Sequence, residues 1–379
     1  MNDTHPLLEG LGTERAAEPA AVVIFGASGD LTRRKLMPAL SALMARGQLA
    51  AGTAVVGVGR SDFGDDGFRQ KMAAALGLGG DGAEDGDRRA WAELEGGLRY
   101  VSGGYDDPGT YKELATVLED LDRDRGTGGN RLYYLSTPPP VFAAVVAQLG
   151  DHGLHRPARG GAFARVVIEK PFGRDLDTAL ALDRDLHEVL DEEQLYRIDH
   201  YLGKETVQNV LAVRFANAIF EPVWNRRYVD SVQITVAESE GVGHRAGFYE
   251  DAGALRDIVQ NHLLQVLALT AMEPPVSMSP KGIRDEKVKA LDAVDILEPD
   301  EVAGEVVRGQ YRSGWSGGTP VPGYLEEEGV APASRTETFV AMRLRIDNWR
   351  WAGVPFYLRT GKSLPRRVTE VALQFSAAP

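Results

Sequence analysis

The sequence predicts an α/β domain on a doubly wound parallel sheet, followed by an α+β domain with a large, mainly antiparallel sheet. Three observations carry that expectation. Up to residue 198, short apolar β-rich runs alternate with helical stretches. Beyond it, period-two runs follow one another without helices regularly between them. The length, 379 residues, exceeds what one hydrophobic core usually holds.

The elements justify this in order. Residues 1–20 read as a polar, flexible tail without the charged-then-apolar pattern of a secretory signal. AVVIF (21–25) is a buried-strand pattern that runs directly into GASGDL and then a helical stretch, TRRKLMPALSALMARG. TAVVGVGR (53–60) completes a first βαβ unit. The Gly/Asp-rich run between Gly77 and Asp87 reads as a mobile surface loop. LRYVSG (98–103), RLYYLST (131–137) and ARVVIEKP (164–171) are further strands, which closes a dinucleotide-binding, Rossmann-like domain over 21–198. In the second domain, 199–379, the period-two runs are 229–240, 336–348, 354–361 and 367–375, with one strong helix expected over 251–272.

Bulk composition narrows the function classes. A formal charge of −13 argues against nucleic acid or an anionic membrane as partner, since both are held chiefly by Lys and Arg. Without cysteine there is no disulfide, thiolate zinc site or catalytic thiol. No apolar stretch of about eighteen residues is present, so the expectation is a cytoplasmic chain that takes a small-molecule substrate.

Gly26, Ala27, Ser28, Gly29, Asp30 and Leu31 lie between first strand and first helix, where backbone amides and the helix dipole stabilise a pyrophosphate. The same spacing also serves a tight turn that merely needs glycine. Thr32 stands where a smaller residue would ease helix packing. The second strand ends at Arg60, whose guanidinium suits a ribose 2′-phosphate and favours NADP; Asp62 keeps NAD open.

RIDHYLGKE (197–205) gathers Asp199, His200, Tyr201 and Lys204, of which the His, Tyr and Lys supply donors and a cation suited to a phosphate dianion. Asp257, Asn261 and His262 sit at i, i+4 and i+5 of the expected helix and share an arc of it. An imidazole there suits removal of a hydroxyl proton, with a carboxylate to hold its tautomer. Lys170, in Glu169-Lys170-Pro171-Phe172-Gly173, falls at a strand end on the ligand-binding edge of such sheets, and Pro171 is a candidate for a cis bond. Each of these residues, taken singly, is equally at home as an ordinary surface or turn residue.

GASGDL, EKPFG, RIDHYLGKE, RDIVQNH and VPFYLRTGKSLPRR, in this order, resemble the glucose-6-phosphate dehydrogenase family over nearly all of residues 21 to 375. The resemblance implies oxidation of D-glucose 6-phosphate at C1 by NADP⁺, without a metal, in a homodimer or homotetramer. It makes His262 the general base and Asp199 its partner. His200, Tyr201 and Lys204 become the phosphate grip, with Lys362 and Arg367 reaching the sugar phosphate. Glu238 and Asp257 accept from sugar hydroxyls, and Lys170 meets both substrate and coenzyme. The glycine turn, Arg60 and Tyr134 match coenzyme positions. Family members continue past the position of Phe375, so the resemblance also raises the expectation of a second domain lacking its C-terminal part. The alternatives are a dehydrogenase of another aldose or aldose phosphate, and an inactive nucleotide-binding homologue.

Overall fold

The computed structural model describes residues 16–78, 85–316 and 318–378, and these fall into two compact units, 16–198 and 199–378. Most of the tail and residues 79–84 of the Gly/Asp-rich run lie outside the described residues. The rest of that run does not continue as loop, because a helix, Asp85–Gly96, begins inside it.

The first unit carries six strands: β1 (Ala21–Phe25), β2 (Ala54–Gly59), β3 (Leu98–Ser102), β4 (Arg131–Leu135), β5 (Ala164–Ile168) and β6 (Leu195–Arg197). Their order is β3-β2-β1-β4-β5-β6, all parallel, so the strand order reverses between β1 and β4. Every residue of β1 and β2 is buried, because helices cover both faces of the sheet. Side chains alternate between two cores: Ala21, Val23 and Phe25 enter one, Val22 and Ile24 the other. The first core is closed by the helix Pro108–Asp124, which Asp107 caps by accepting the Gly109 N–H, with Pro108 in the first turn. Tyr111, Leu114, Leu118 and Leu121 form its buried stripe. Truncating Leu114 to Ala there costs about 2–5 kcal/mol.

The second unit has a mixed sheet in the order β13-β7-β12-β11-β8, where β7 is Val229–Ala237, β8 Val306–Gly309, β11 Phe339–Leu344, β12 Phe356–Gly361 and β13 Val368–Phe375. Three of its four pairings are antiparallel, and β7 with β12 is parallel. A small antiparallel pair, β9 (Gly314–Ser316) and β10 (Thr319–Val321), stands apart from it. The helix expected over 251–272 is instead three pieces. Ala246–Ala254 is interrupted at Gly253 (φ 64°), Leu255–Leu263 winds in wide π-type turns, and Leu264–Ala271 is α-helical. Ile258, Val259, Leu263, Val266 and Leu267 from these turns pack on Val232, Ile234, Val236, Phe356 and Leu358 of the sheet as one core. Among the described residues no helix is long and apolar enough to cross a membrane.

Candidate functional site

In the first unit the glycine turn leaves β1 at the point where strand order reverses, the crevice in which open α/β sheets hold ligands. Gly26 has φ +85°, and a Cβ there would lie 2.3 Å from the Ser136 carbonyl oxygen, so only glycine fits. Thr32 is fully buried and its hydroxyl donates back to the Gly26 carbonyl, so the larger residue is used to tie the turn to the helix. Asp30 pairs with Arg33 at 2.7 Å and Arg34 at 3.3 Å, and the Arg33 hydrogen bond holds its carboxyl below the usual range.

Around that turn, the buried side-chain oxygens of Ser136, Thr137 and Tyr100 have no hydrogen-bond partner. Ser136 and Thr137 follow the C-terminal end of β4, and Tyr100, in the middle of β3, brings its hydroxyl close to Gly59. A buried polar atom without a partner is costly unless a ligand or water satisfies it. Together with a turn in which Gly26 admits no Cβ, they fit a dinucleotide. Burial pushes the Tyr100 phenol up to about 12, aided by Tyr105 and Asp62, so it stays a neutral donor. Arg60 is exposed at the end of β2, and its charge reaches the Tyr105 hydroxyl. The Tyr134 hydroxyl donates to Glu169 at 2.5 Å, and the Lys170-Pro171 bond is cis. Ser136, Thr137 and Tyr100 were not singled out from sequence; for Ser136 and Thr137 the signal is position, just past β4 at the reversal, whereas Tyr100 sits inside the edge strand β3.

The second unit assembles its groups from segments far apart in the chain. Asp199 caps a short 3₁₀ turn, His200–Gly203, by accepting the Tyr201 N–H at 2.9 Å. The same Oδ1 lies 2.6 Å from Nδ1 of His262, which is 1% exposed on the π-type helix. Tyr201 stacks on the His262 ring at 4.0 Å and 16°, and His200 meets it edge-on at 4.7 Å. Lys204 places its ammonium 3.3 Å from the Tyr201 ring centroid. Glu238, just past β7, takes an ion pair from Lys362 at 2.6 Å, and Asp257 approaches the same ammonium at 3.9 Å. Lys362 and Asp257 are only 4% and 8% exposed. Arg367 joins the group through its charge on Tyr201 and Lys204.

Electrostatics divide the labour. Burial pushes the Asp199 carboxyl up, but the His262 hydrogen bond and charge, the Tyr201 N–H and His200 outweigh it and hold Asp199 below the usual carboxylate range. An anion at Nδ1 keeps the ring proton on that nitrogen and makes Nε2 the accepting one. Burial, reinforced by Arg367, depresses Lys204, while Glu238 and Asp199 oppose the shift. Closely set cations of this kind are relieved by an arriving dianion. Lys287, on the helix Pro280–Asp292, is another ammonium lowered by burial that feels Asp199; nothing in the sequence pattern pointed to it.

The helix end beyond His262 is tied down by side chains. Arg214, fully buried, donates to the Leu269 and Met272 carbonyls, Trp224 to Thr270 and Trp351 to Ala271. Four terminal carbonyls are thereby satisfied without water.

The groups expected at the chemical site thus converge within the second unit: Asp199, His200, Tyr201, Lys204, Glu238, Asp257, His262, Lys362 and Arg367. Lys170, Tyr134, Arg60 and the glycine turn belong to the first unit.

Known proteins match both halves. The family model for "Glucose-6-phosphate dehydrogenase, NAD binding domain" covers residues 23–209, and that for "Glucose-6-phosphate dehydrogenase, C-terminal domain" covers residues 211–379. The chain is 52% identical to "Glucose-6-phosphate 1-dehydrogenase 2" of Mycobacterium tuberculosis over 96% of its own length and 70% of the relative. It is 46% identical to the Bacillus subtilis glucose-6-phosphate 1-dehydrogenase over 95% and 72%. A solved glucose-6-phosphate dehydrogenase in complex with its substrate glucose 6-phosphate superposes with a TM-score of 0.84 at 37% identity, covering 97% of this chain and 73% of that one. The Mycobacterium avium enzyme gives 0.81 at 41% identity, covering 95% and 74%. A dinucleotide cradle and a buried imidazole-carboxylate pair, matched along nearly the whole length at such identity, admit one assignment: the chain belongs to the glucose-6-phosphate dehydrogenase family.

Proposed function

We propose that this chain oxidises D-glucose 6-phosphate at C1 to 6-phospho-D-glucono-1,5-lactone, reducing NADP⁺ to NADPH and releasing one proton. The observation that carries the proposal is the buried His262–Asp199 pair at 2.6 Å, with the cations Lys204 and Lys362 on the same unit. NADP⁺, when bound, supplies the hydride acceptor. Its pyrophosphate is assigned to the Gly26–Leu31 turn, its 2′-phosphate to Arg60, and its nicotinamide end to Tyr134 and Lys170.

His262 accepts the C1 hydroxyl proton at Nε2 as the C1–H bond gives up its electron pair. Asp199 keeps the ring in the productive tautomer and stabilises the imidazolium that forms. His200, Tyr201 and Lys204 hold the phosphate, with Lys362 and Arg367 reaching the sugar phosphate as well. Glu238 and Asp257 accept from sugar hydroxyls; an analogue lacking the matching hydroxyl leaves a buried acceptor without a partner, which penalises it steeply. Self-association as a homodimer or homotetramer is part of the same proposal.

The direct test is absorbance at 340 nm with glucose 6-phosphate or glucose, and NADP⁺ or NAD⁺, in all four pairings. Turnover with glucose 6-phosphate, orders of magnitude above glucose, supports the proposal. Equal rates with both sugars would reject the phosphate grip.

A further inference from the structure

The helix that carries both Asp257 and His262 does not begin by continuing the helix before it. Gly253 takes a left-handed φ of 64° with ψ of 176°, and the chain restarts at Ala254. The restart leaves backbone N–H groups that the preceding turn cannot satisfy. One residue receives two of them. Glu337 accepts the Ala254 N–H on its backbone carbonyl at 2.9 Å and the Leu255 N–H on its carboxylate at 3.0 Å. Its carbonyl also takes the Tyr249 hydroxyl at 3.3 Å.

Glu337 is joined to the sugar site from a second direction. It immediately precedes Thr338, whose carbonyl accepts the Lys362 N–H at 3.0 Å where β11 and β12 meet. Lys362 is the ammonium between Glu238 and Asp257. One glutamate therefore anchors the start of the helix bearing the proton acceptor and lies one residue from the backbone contact that holds Lys362. The fit is tight: a Cβ on Gly253 would lie 2.4 Å from the Glu337 Oε1.

We propose that Glu337 is a positioning residue for the oxidation, holding Asp257 and His262 in register with Lys362 by clamping the restarted helix at Ala254 and Leu255. This rests on the function proposed above, but the clamp itself is measurable without turnover. Displacing a catalytic group by about 1 Å can cost about 100-fold in rate. Glu337→Ala is therefore expected to lower kcat about 10- to 100-fold, with NADPH binding by fluorescence unchanged, since the coenzyme turn belongs to the other unit. Glu337→Gln, which keeps an acceptor oxygen, should recover most of the loss. Gly253→Ala, which drives a methyl into the carboxylate from the opposite side, should reproduce it.

Full-length wild type and all three variants would be assayed well below their melting temperatures, with hydrogen exchange followed at amides 254–263. Faster exchange at Leu255 in Glu337→Ala, with Glu337→Gln near wild type in exchange and kcat, supports the proposal. A kcat within twofold of wild type in Glu337→Ala, or a Glu337→Gln variant as impaired as Glu337→Ala, overturns it. If the wild type itself does not turn over, the function proposal fails, and exchange alone decides the clamp: unchanged protection at the Leu255 amide in Glu337→Ala rejects it.

Discussion

The two units build their candidate sites by opposite means. In residues 16–198 the candidate cradle centres on six consecutive residues that offer backbone amides, with a strict need for glycine at Gly26, and a few nearby side chains complete it. In residues 199–378 the useful groups are side chains from five separate segments, gathered by one helix, three strand ends and a 3₁₀ turn. A contiguous backbone site is robust to side-chain change and depends on glycine geometry. A gathered site depends on every element keeping its register, which is why so many carbonyls and amides around the His262 helix are individually tied down.

That contrast can be broken first at His262. Replacing it with Asn should lower kcat by about 10² to 10⁴ while NADPH binding holds, measured at 340 nm and by NADPH fluorescence. A kcat within a few-fold of wild type would mean that the base lies elsewhere. Next, Lys204→Ala removes one cation from the proposed phosphate grip. A charged hydrogen bond contributes about 1.5–3 kcal/mol, so KM for glucose 6-phosphate should rise about 10- to 100-fold with little change in KM for NADP⁺. Arg60→Ala should do the reverse: KM for NADP⁺ rises about tenfold, KM for NAD⁺ stays put, and the sugar is unaffected. Parallel loss of both coenzymes would remove Arg60 from the 2′-phosphate.

The smallest effect is on stability against pH. The Asp199 carboxyl is lowered in the folded chain, so its contribution is fully present above the unfolded value near 3.9 and is lost as pH falls through the lower folded value. The groups acting on it are His262, His200 and the Tyr201 N–H, and Asp199 in turn acts on Lys204 and Lys287. The drop in urea midpoint from pH 6 to pH 3 should be slightly smaller in Asp199→Asn than in wild type. An identical drop would show that the carboxylate contributes nothing to acid sensitivity.

Much of the fold was legible because its signals are local. β1 lies where AVVIF stands, and β2 to β5 fall within the runs that predicted them, trimmed at their ends where buried apolar residues give way to turns. β6, β8, β9 and β10 were not read; at three or four residues they are too short to show a period. The helix break at Gly253 was missed because an isolated glycine inside an apolar pattern looks tolerable until its φ is known. The parallel pairing of β7 with β12 was missed because strand direction leaves no mark on period-two alternation. RIDHYLGKE and the late helix announced the right residue types, since acid, imidazole and ammonium carry their chemistry wherever they stand.

What the sequence by itself determined is the set of elements and the chemical groups available, because hydrophobic period, glycine placement and side-chain type are properties of neighbouring residues. What only the tertiary structure decided is distance. The approach of Asp199 to His262, of Lys362 to Glu238 and Asp257, and of Glu337 to the amides of Ala254 and Leu255 joins positions tens to more than a hundred residues apart. Such contacts exist only after helix and sheet have buried their apolar faces against one another, and that burial is driven by the whole core rather than by the residues that meet.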